Sequence, residues 1–424
     1  MPETRVLIIS TWEIPCGIAS FAAVLKSHLD GEFAVDVAPL DPDMLKRFPK
    51  PFGDAAIADI VARAADYDVV NIQLEWGTLG TSLPVITRRF EQLLRCNAHI
   101  ILTLHTPVSV GDGGKLTSHL KRLRLLSAAK CLPAEGARLY YDRRKRLLIR
   151  DAAARLGNGF HVIVHTARER KYVTHLCGVA NTHDHPLSHI RPDWPERLQR
   201  DAPALRARLA QRFGEGKTLV GFFGFLGARK GLETAIGALE LLPENHLLLI
   251  YGAIHPDAIT RDTPIDPYLA RVLTRLGYGN LLPAKPESSA RAAKGAAKTD
   301  AALPEEEPLK KRVFFMGSPD DYEFAEAIAA MDACVFPYLE TGQSASGPVC
   351  QAVELDKPTY LSRALNFLEL EKYFPGRFRL FDIGNCVQLA QQLSEPPIPP
   401  ASPLPYSMAT QRELYAGLIR ELAG

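Results

Sequence analysis

Short apolar runs recur along the first half of the chain, at Arg5–Ser10, Ala34–Leu40, Val69–Leu74, His99–His105 and His161–Thr166. They are rich in Val and Ile and nearly continuous rather than alternating, the pattern of a strand buried on both faces. Stretches with apolar residues at helical spacing, such as Ile18–Leu29 and Ala55–Ala65, lie between them. Strand and helix in alternation predict a parallel sheet with helices on both faces. The rhythm restarts at Thr218–Gly224 and continues through His246–Gly252, Arg312–Gly317, Ala333–Tyr338 and Pro358–Ser362. Between the halves, Asn181–Pro203 carries prolines and histidines with little periodicity and reads as a linker into the first helix of a second domain. The expectation is an α/β chain of two doubly wound domains, 1–200 and 201–395. A Pro-rich stretch, Pro396–Pro405, then leads to an amphipathic closing helix within 405–424 that docks away from its neighbours in sequence. Ligands of such sheets bind beyond the C-terminal ends of the strands, so the expected site is a cleft between those two edges.

Composition narrows the class. Of 424 residues, 46% are hydrophobic and 23% charged, which excludes a disordered, collagen-like or coiled-coil chain. No apolar run reaches the ~18 residues of a membrane span. The net charge of +2 gives no reason to expect nucleic acid as a partner. Seven scattered cysteines without a Cys-x-x-Cys pair fit a reduced compartment. The six-residue run Arg5–Ser10 is too short for a secretory signal, so a cytoplasmic location is expected. Residues 284–312 are charged, low in complexity and free of aromatics, and predict a mobile loop.

Several strand ends carry chemistry. Gly17 stands where the first strand gives way to a helix, either as a plain turn or as a close approach to an anion at the helix N-terminus. Glu75 follows the third strand in "NIQLEWG", as a solvated loop acid or as a carboxylate in the cleft. His105 ends the fourth strand in "ILTLHTP", as a structural histidine or as one that orients a ligand hydroxyl. In "GFFGFLGARKGLETAI" the strand ends at Gly224, and Arg229 and Lys230 precede a helix, a pairing of cations with free amides suited to a diphosphate. A dinucleotide site would want an acid at the tip of the next strand, and "LIYGAIHP" has none. The small-residue loop Ser344–Pro348 opens another helix and is either a tight turn or a contact for phosphate or sugar.

Taken together, "CGIASF", "VVNIQLEWG", "LTLHTP", "GFLGARKGLETAI", "LLIYGAIHP" and "PYLETGQSASGPVCQAVELDKP" resemble the retaining glycosyltransferases of family 4, which have the GT-B fold. The segments follow the family's order over most of the chain, and the closing helix "MATQRELYAGLIREL" resembles the family's last helix, which implies that it crosses back to pack on the first domain. The resemblance implies that Gly17 faces the phosphates of a nucleotide diphosphate sugar, that His105 contacts the transferred sugar, and that Lys230 belongs to the cationic pair on the diphosphate. The family's arginine, five residues before that lysine, falls on Phe225, and Arg229 is the candidate substitute. The family's two glutamates fall on Gln343 and Gln351, which can hydrogen-bond a sugar or ribose but carry no charge. Gly224, Ser344, Ser346 and Gly347 complete the donor-binding set. Transfer would be retaining and of hexosyltransferase type, with a glycan or lipid-linked acceptor in surface polysaccharide assembly, and with no metal or other cofactor. Asp41–Asp43 has Asp-x-Asp spacing but reads as a turn, and His183, His185 and His189 read as part of the linker. The alternatives are an inactive binding or scaffold protein of the same shape, which Phe225 and the two glutamines favour, and a sugar-nucleotide epimerase.

Residues 115–171 hold 15 Lys and Arg against four acids. Lys121, Arg122, Arg124, Arg143, Arg144, Lys145 and Arg146 fall in two stretches with apolar residues at helical spacing. They are read as a solvated helical face or as a contact for an anionic membrane, which would make the protein peripheral on the membrane's inner face.

Overall fold

The computed structural model describes residues 4–106, 125–254, 265–278, 308–339, 345–398 and 404–424. Two compact units emerge. One comprises Met1–Pro192, Gln343–Cys350 and Leu404–Gly424, and the other Asp193–Gly342 and Gln351–Pro403.

The first unit runs β1 (Arg5–Ser10), α1 (Gly17–Leu29), β2 (Ala34–Pro39), α2 (Pro42–Lys46), α3 (Lys50–Ala64), β3 (Val69–Leu74), α4 (Leu83–Leu93), β4 (Ile100–Leu104), α5 (Leu125–Leu156), β5 (Phe160–Val164), α6 (Ala167–Tyr172) and β6 (Thr182–Asp184). The strands form one sheet in the order β2-β1-β3-β4-β5-β6, parallel throughout. Successive residues of β1 serve opposite faces, as the two-residue period of a strand requires. Leu7 and Ile9 pack with Ile57, Phe90 and Ile149. Val6 and Ile8 pack with Phe21 and Leu25 of α1 and with Tyr415, Ile419 and Leu422 near the C-terminus. Burying both faces is why these strands read as unbroken apolar runs.

The second unit runs α7 (Trp194–Phe213), β7 (Thr218–Phe223), α8 (Leu232–Glu240), β8 (His246–Tyr251), α9 (Pro267–Arg275), β9 (Val313–Gly317), α10 (Asp321–Ala330), β10 (Ala333–Phe336), α11 (Gly347–Glu354, which belongs to this unit from Gln351 on), β11 (Thr359–Ser362), α12 (Leu365–Glu371), β12 (Phe378–Phe381) and α13 (Cys386–Ser394). Its sheet has the order β12-β11-β10-β7-β8-β9, again parallel. Strand order reverses between β1 and β3 in one sheet and between β7 and β10 in the other, and ligands settle at such switch points.

The last helix, α14 (Met408–Ala423), belongs to the first unit. Its Arg412 donates to the His28 carbonyl at 2.9 Å and, with Arg420, pairs with Glu32.

Three sequence readings need correction. The linker Asn181–Pro203 contains β6 and the start of α7. β6 is a three-residue edge strand, too short to show a period. α7 opens on Trp194-Pro195, where proline is tolerated because the first turn has no acceptor for its missing N–H. The expected loop ends earlier than residue 312. Its residues 284–307 lie outside the described residues, while Pro308–Lys311 form a 3₁₀ turn. Arg312 is buried and donates to the carbonyls of Leu242, Pro243 and His246. Asp41-Pro42-Asp43 is a helix start rather than a turn, with the Asp41 carboxylate capping the amides of Asp43 and Met44.

Candidate functional site

In the second unit the loops after β7, β8 and β10 converge. Gly224 follows β7 with φ +113° and donates its N–H to the Tyr251 carbonyl at 3.0 Å. Gly252 lies so close that a Cβ there would sit 2.0 Å from the Gly224 oxygen. Ala228–Lys230 make one 3₁₀ turn, and Gly231, at φ +66°, then starts α8. A Cβ at Gly231 would lie 1.9 Å from the Pro337 carbonyl oxygen, so only glycine fits. Leu339 donates to the Arg229 carbonyl at 2.9 Å, tying the β10 loop to the same turn. The Lys230 ammonium stands 3.7 Å from the centroid of the buried Tyr338 ring. Arg229 is exposed and Lys230 half-buried. Among the described residues no side chain caps the N-terminus of α8 at Gly231, and Lys230 stands one residue before it.

In the first unit Gly17 opens α1, whose N-cap residue Cys16 makes no side-chain cap, and among the described residues no atom lies within 4 Å of where a Gly17 Cβ would sit. His105 follows β4, with its backbone N–H on the Leu74 carbonyl. Both ring nitrogens meet protein groups, Nε2 the Gln73 Oε1 at 2.7 Å and Nδ1 the His165 Nε2 at 3.2 Å. The edge of Phe21 packs on His105, His165 and His189. Burial pushes His165 and His189 down to about 4. Burial, with His165 and His189 beside it, holds His105 well below the ordinary histidine value. All three rings are therefore neutral at pH 7.

Glu75, at the tip of β3, accepts the Thr106 hydroxyl. Nearby, Lys145 of α5 is buried with its ammonium 3.6 Å from Asp142 and 4.4 Å from the Trp76 ring centroid. Burial lowers the Lys145 pKa, against the opposing pull of Asp142 and Glu75.

The structure thus gathers Gly224, Arg229 and Lys230 around one turn, and sets Gly17, Glu75 and His105 along the C-terminal edge of the other sheet. Gln343 and Ser344 lie outside the described residues. Ser346 is buried, and Gly347 starts α11, where a Cβ would meet His189 Nε2 at 3.0 Å. Gln351 is buried one turn further along. His183, His185 and His189 take separate partners. His183 stacks on His161, His185 bonds Thr410 at 2.8 Å, and His189 packs on Phe21.

The basic stretch also needs correction. Lys121, Arg122 and Arg124 lie outside the described residues. Lys145 points inward, and Arg144 pairs with Glu91 at 3.2 Å, so the cations do not share one surface. The exposed face of α5 carries Leu132, Leu139, Tyr140, Arg143, Leu147 and Arg150 instead.

Sequence reasoning missed Tyr338, His165, Thr103 and Tyr415. The available signal was a polar residue inside an apolar strand, as at Thr103 in "IILTL" and Asn71 and Gln73 in "VVNIQL". Tyr338 gave none, since an aromatic after a strand is ordinary core.

No known family's sequence profile matches the chain, and no curated protein matches it in sequence. Solved structures do match. The Anabaena protein HepE (Alr3699), solved in complex with UDP and glucose, superposes with a TM-score of 0.59 at 16% identity, covering 98% of this chain and 99% of that one. A UDP-forming α,α-trehalose-phosphate synthase from Burkholderia xenovorans gives 0.56 at 12% identity, over 99% of this chain and 100% of that one. Sucrose-phosphate synthase from Thermosynechococcus elongatus gives 0.54 at 16% identity, over 99% and 92%. The chain has the GT-B fold shared by these proteins, with two six-stranded parallel sheets and their surrounding helices.

Proposed function

We propose that this chain is a retaining glycosyltransferase of hexosyltransferase type. It would move a sugar from a nucleotide diphosphate donor to a glycan or glycolipid acceptor in surface polysaccharide assembly. The observation that carries the reading is the turn between β7 and α8, with Lys230 seated on Tyr338 beside a helix N-terminus at a sheet switch point. A cation held beside helix N-terminal amides is what a departing diphosphate needs. HepE, of the same fold, was solved with UDP and glucose, which supports a nucleotide sugar as the donor.

In this reading Lys230, Arg229 and the amides near Gly224 hold the diphosphate. Gly17, Gln343, Ser344, Ser346, Gly347 and Gln351 complete the donor contacts, His105 contacts the sugar, and Glu75 contacts the sugar or the acceptor. The acceptor oxygen bonds to the anomeric carbon on the face that the diphosphate leaves. The carbon–oxygen bond to the diphosphate breaks with its electron pair on the leaving oxygen, and a phosphate oxygen takes the acceptor's proton. Lys230 and Arg229 supply the neutralising charge, so the reading calls for no metal. The working location is the cytoplasm, at the inner face of the membrane. No described helix is long and apolar enough to cross a membrane. Attachment there would be peripheral, through the exposed face of α5. The test is transfer from a panel of nucleotide sugars to lipid-linked acceptors, with NMR of the product's anomeric centre. Retained configuration supports the reading, and inversion overturns it.

A further inference from the structure

Asn71, Gln73, Thr103, His105 and His165, on neighbouring strands of the first sheet and just after them, line up as one chain of polar groups with a carbonyl oxygen at each end. At one end the Ile101 carbonyl accepts from Asn71 Nδ2 at 3.0 Å. Asn71 Oδ1 accepts from Gln73 Nε2 at 2.5 Å, which leaves Gln73 Oε1 facing His105 Nε2. An amide oxygen only accepts, so His105 carries its hydrogen on Nε2. Thr103 Oγ1 accepts from Asn71 at 3.2 Å and pairs with the Tyr415 hydroxyl of α14 at 2.8 Å, which anchors the far side. At the other end the His185 carbonyl faces His165 Nδ1 at 3.2 Å, so His165 carries its hydrogen there. A neutral imidazole has one N–H. His105 Nδ1 and His165 Nε2 therefore turn lone pairs toward each other at 3.2 Å, and the chain is one hydrogen short.

We propose that His105 and His165 form a single one-proton site, in which the Gln73 oxygen holds the His105 hydrogen on Nε2 and the facing His165 Nε2 shares the one added proton with His105 Nδ1. One proton placed between the facing nitrogens completes every hydrogen bond in the chain. A second has no acceptor, because the outer nitrogens already donate. The pair consequently titrates as one unit. Burial keeps the proton out at neutral pH, and negative charge brought to His105 draws it in. The ionisable groups around the pair are His185 and His189 after β6, Glu169 of α6 beneath the His165 amide, Tyr415 through Thr103, and Glu75 with Lys145 beyond Thr106. The inference deepens the glycosyltransferase reading, in which His105 contacts the sugar, but its test needs no sugar.

The test is long-range ¹H–¹⁵N NMR of histidine-labelled full-length protein from pH 7.5 to 4, with His165→Gln and His105→Gln as assignment variants. At pH 7.5 the expected tautomers are Nε2–H for His105 and Nδ1–H for His165. On acidification both rings shift with one common midpoint. In His165→Gln, whose amide can donate to Nδ1, His105 keeps its Nε2–H tautomer and its midpoint moves to lower pH. An Nδ1–H tautomer at His105, or two separate midpoints in the wild type, overturns the proposal without requiring the variants to fold. An unchanged His105 midpoint in His165→Gln overturns it as well. Failure of every nucleotide sugar to bind would leave these spectra unaffected and would count against the glycosyltransferase reading alone.

Discussion

The Lys230 ammonium lies 3.7 Å from the centroid of the Tyr338 ring. That ring is fully buried, and the Tyr338 carbonyl accepts the Ser362 hydroxyl at 2.5 Å. The cation therefore rests on a platform fixed from two strands, in the preorganised state that stabilises developing charge. Lys230→Ala should lower the transfer rate ~100-fold, about 3 kcal/mol of barrier, while leaving the fold intact. Steady-state kinetics with a melting curve of the same sample checks this, and near-normal turnover contradicts the assignment.

Charge neutralisation by Lys230 and Arg229 predicts that transfer survives chelation. Activity in EDTA should match activity in magnesium. If turnover vanished with EDTA and returned with magnesium or manganese, the diphosphate site would need a cation that this reading does not supply.

Stability should depend on pH through the histidine cluster. His165 and His189 titrate near 4 when folded, against ~6.5 in an unfolded chain. The unfolded chain takes the proton first as pH falls, so acid favours unfolding. The contribution is complete above about pH 6.5 and is lost progressively toward pH 4. Urea midpoints measured at pH 7.5, 6 and 5 should decline, and the decline should be smaller in His165→Gln. A wild-type midpoint that stays flat over that range contradicts the buried, neutral assignment.

The exposed face of α5 predicts binding to anionic lipid. Tyr140 is 62% exposed and Leu139 50%, with Arg143 and Arg150 on the same face. Each cation should add ~1 kcal/mol of attraction. Charge reversal of Arg143 and Arg150 to Glu should then cut partitioning to anionic vesicles at least tenfold at low salt. Equal flotation with neutral and anionic vesicles would leave the face a solvated one.

Much of the fold was legible because buried parallel strands leave a plain mark. β1 and β3 coincide with their apolar runs, residue for residue. β6 and β12 were not legible. Each is a short edge strand with polar positions, Thr182–Asp184 and Phe378–Phe381, so neither a long run nor a clean alternation announces it. Of the candidate site, Lys230 and Gly224 stood out because a cation and a glycine flank a strand end. The closeness of Gly231 to Pro337 and of His105 to His165 could not be read. Those pairs are joined by neighbouring strands, and their residues lie 60 or more positions apart in sequence. Lys145 was misread for a related reason. Helical spacing predicts which residues share a face, but the burial of that one ammonium depends on Trp76 and Asp142.

The central claim is a diphosphate site at the turn before α8, and nucleotide-sugar binding tests it most directly. Melting temperatures of the wild type and Lys230→Ala should be compared with and without UDP- and GDP-sugars at millimolar concentration. A ligand at 100 times its Kd stabilises by about 2.7 kcal/mol, enough for a clear upward shift. The account predicts that at least one nucleotide sugar raises the wild-type melting temperature and that the shift disappears in Lys230→Ala. An equal shift in both proteins, or none in the folded wild type with any donor, would contradict it.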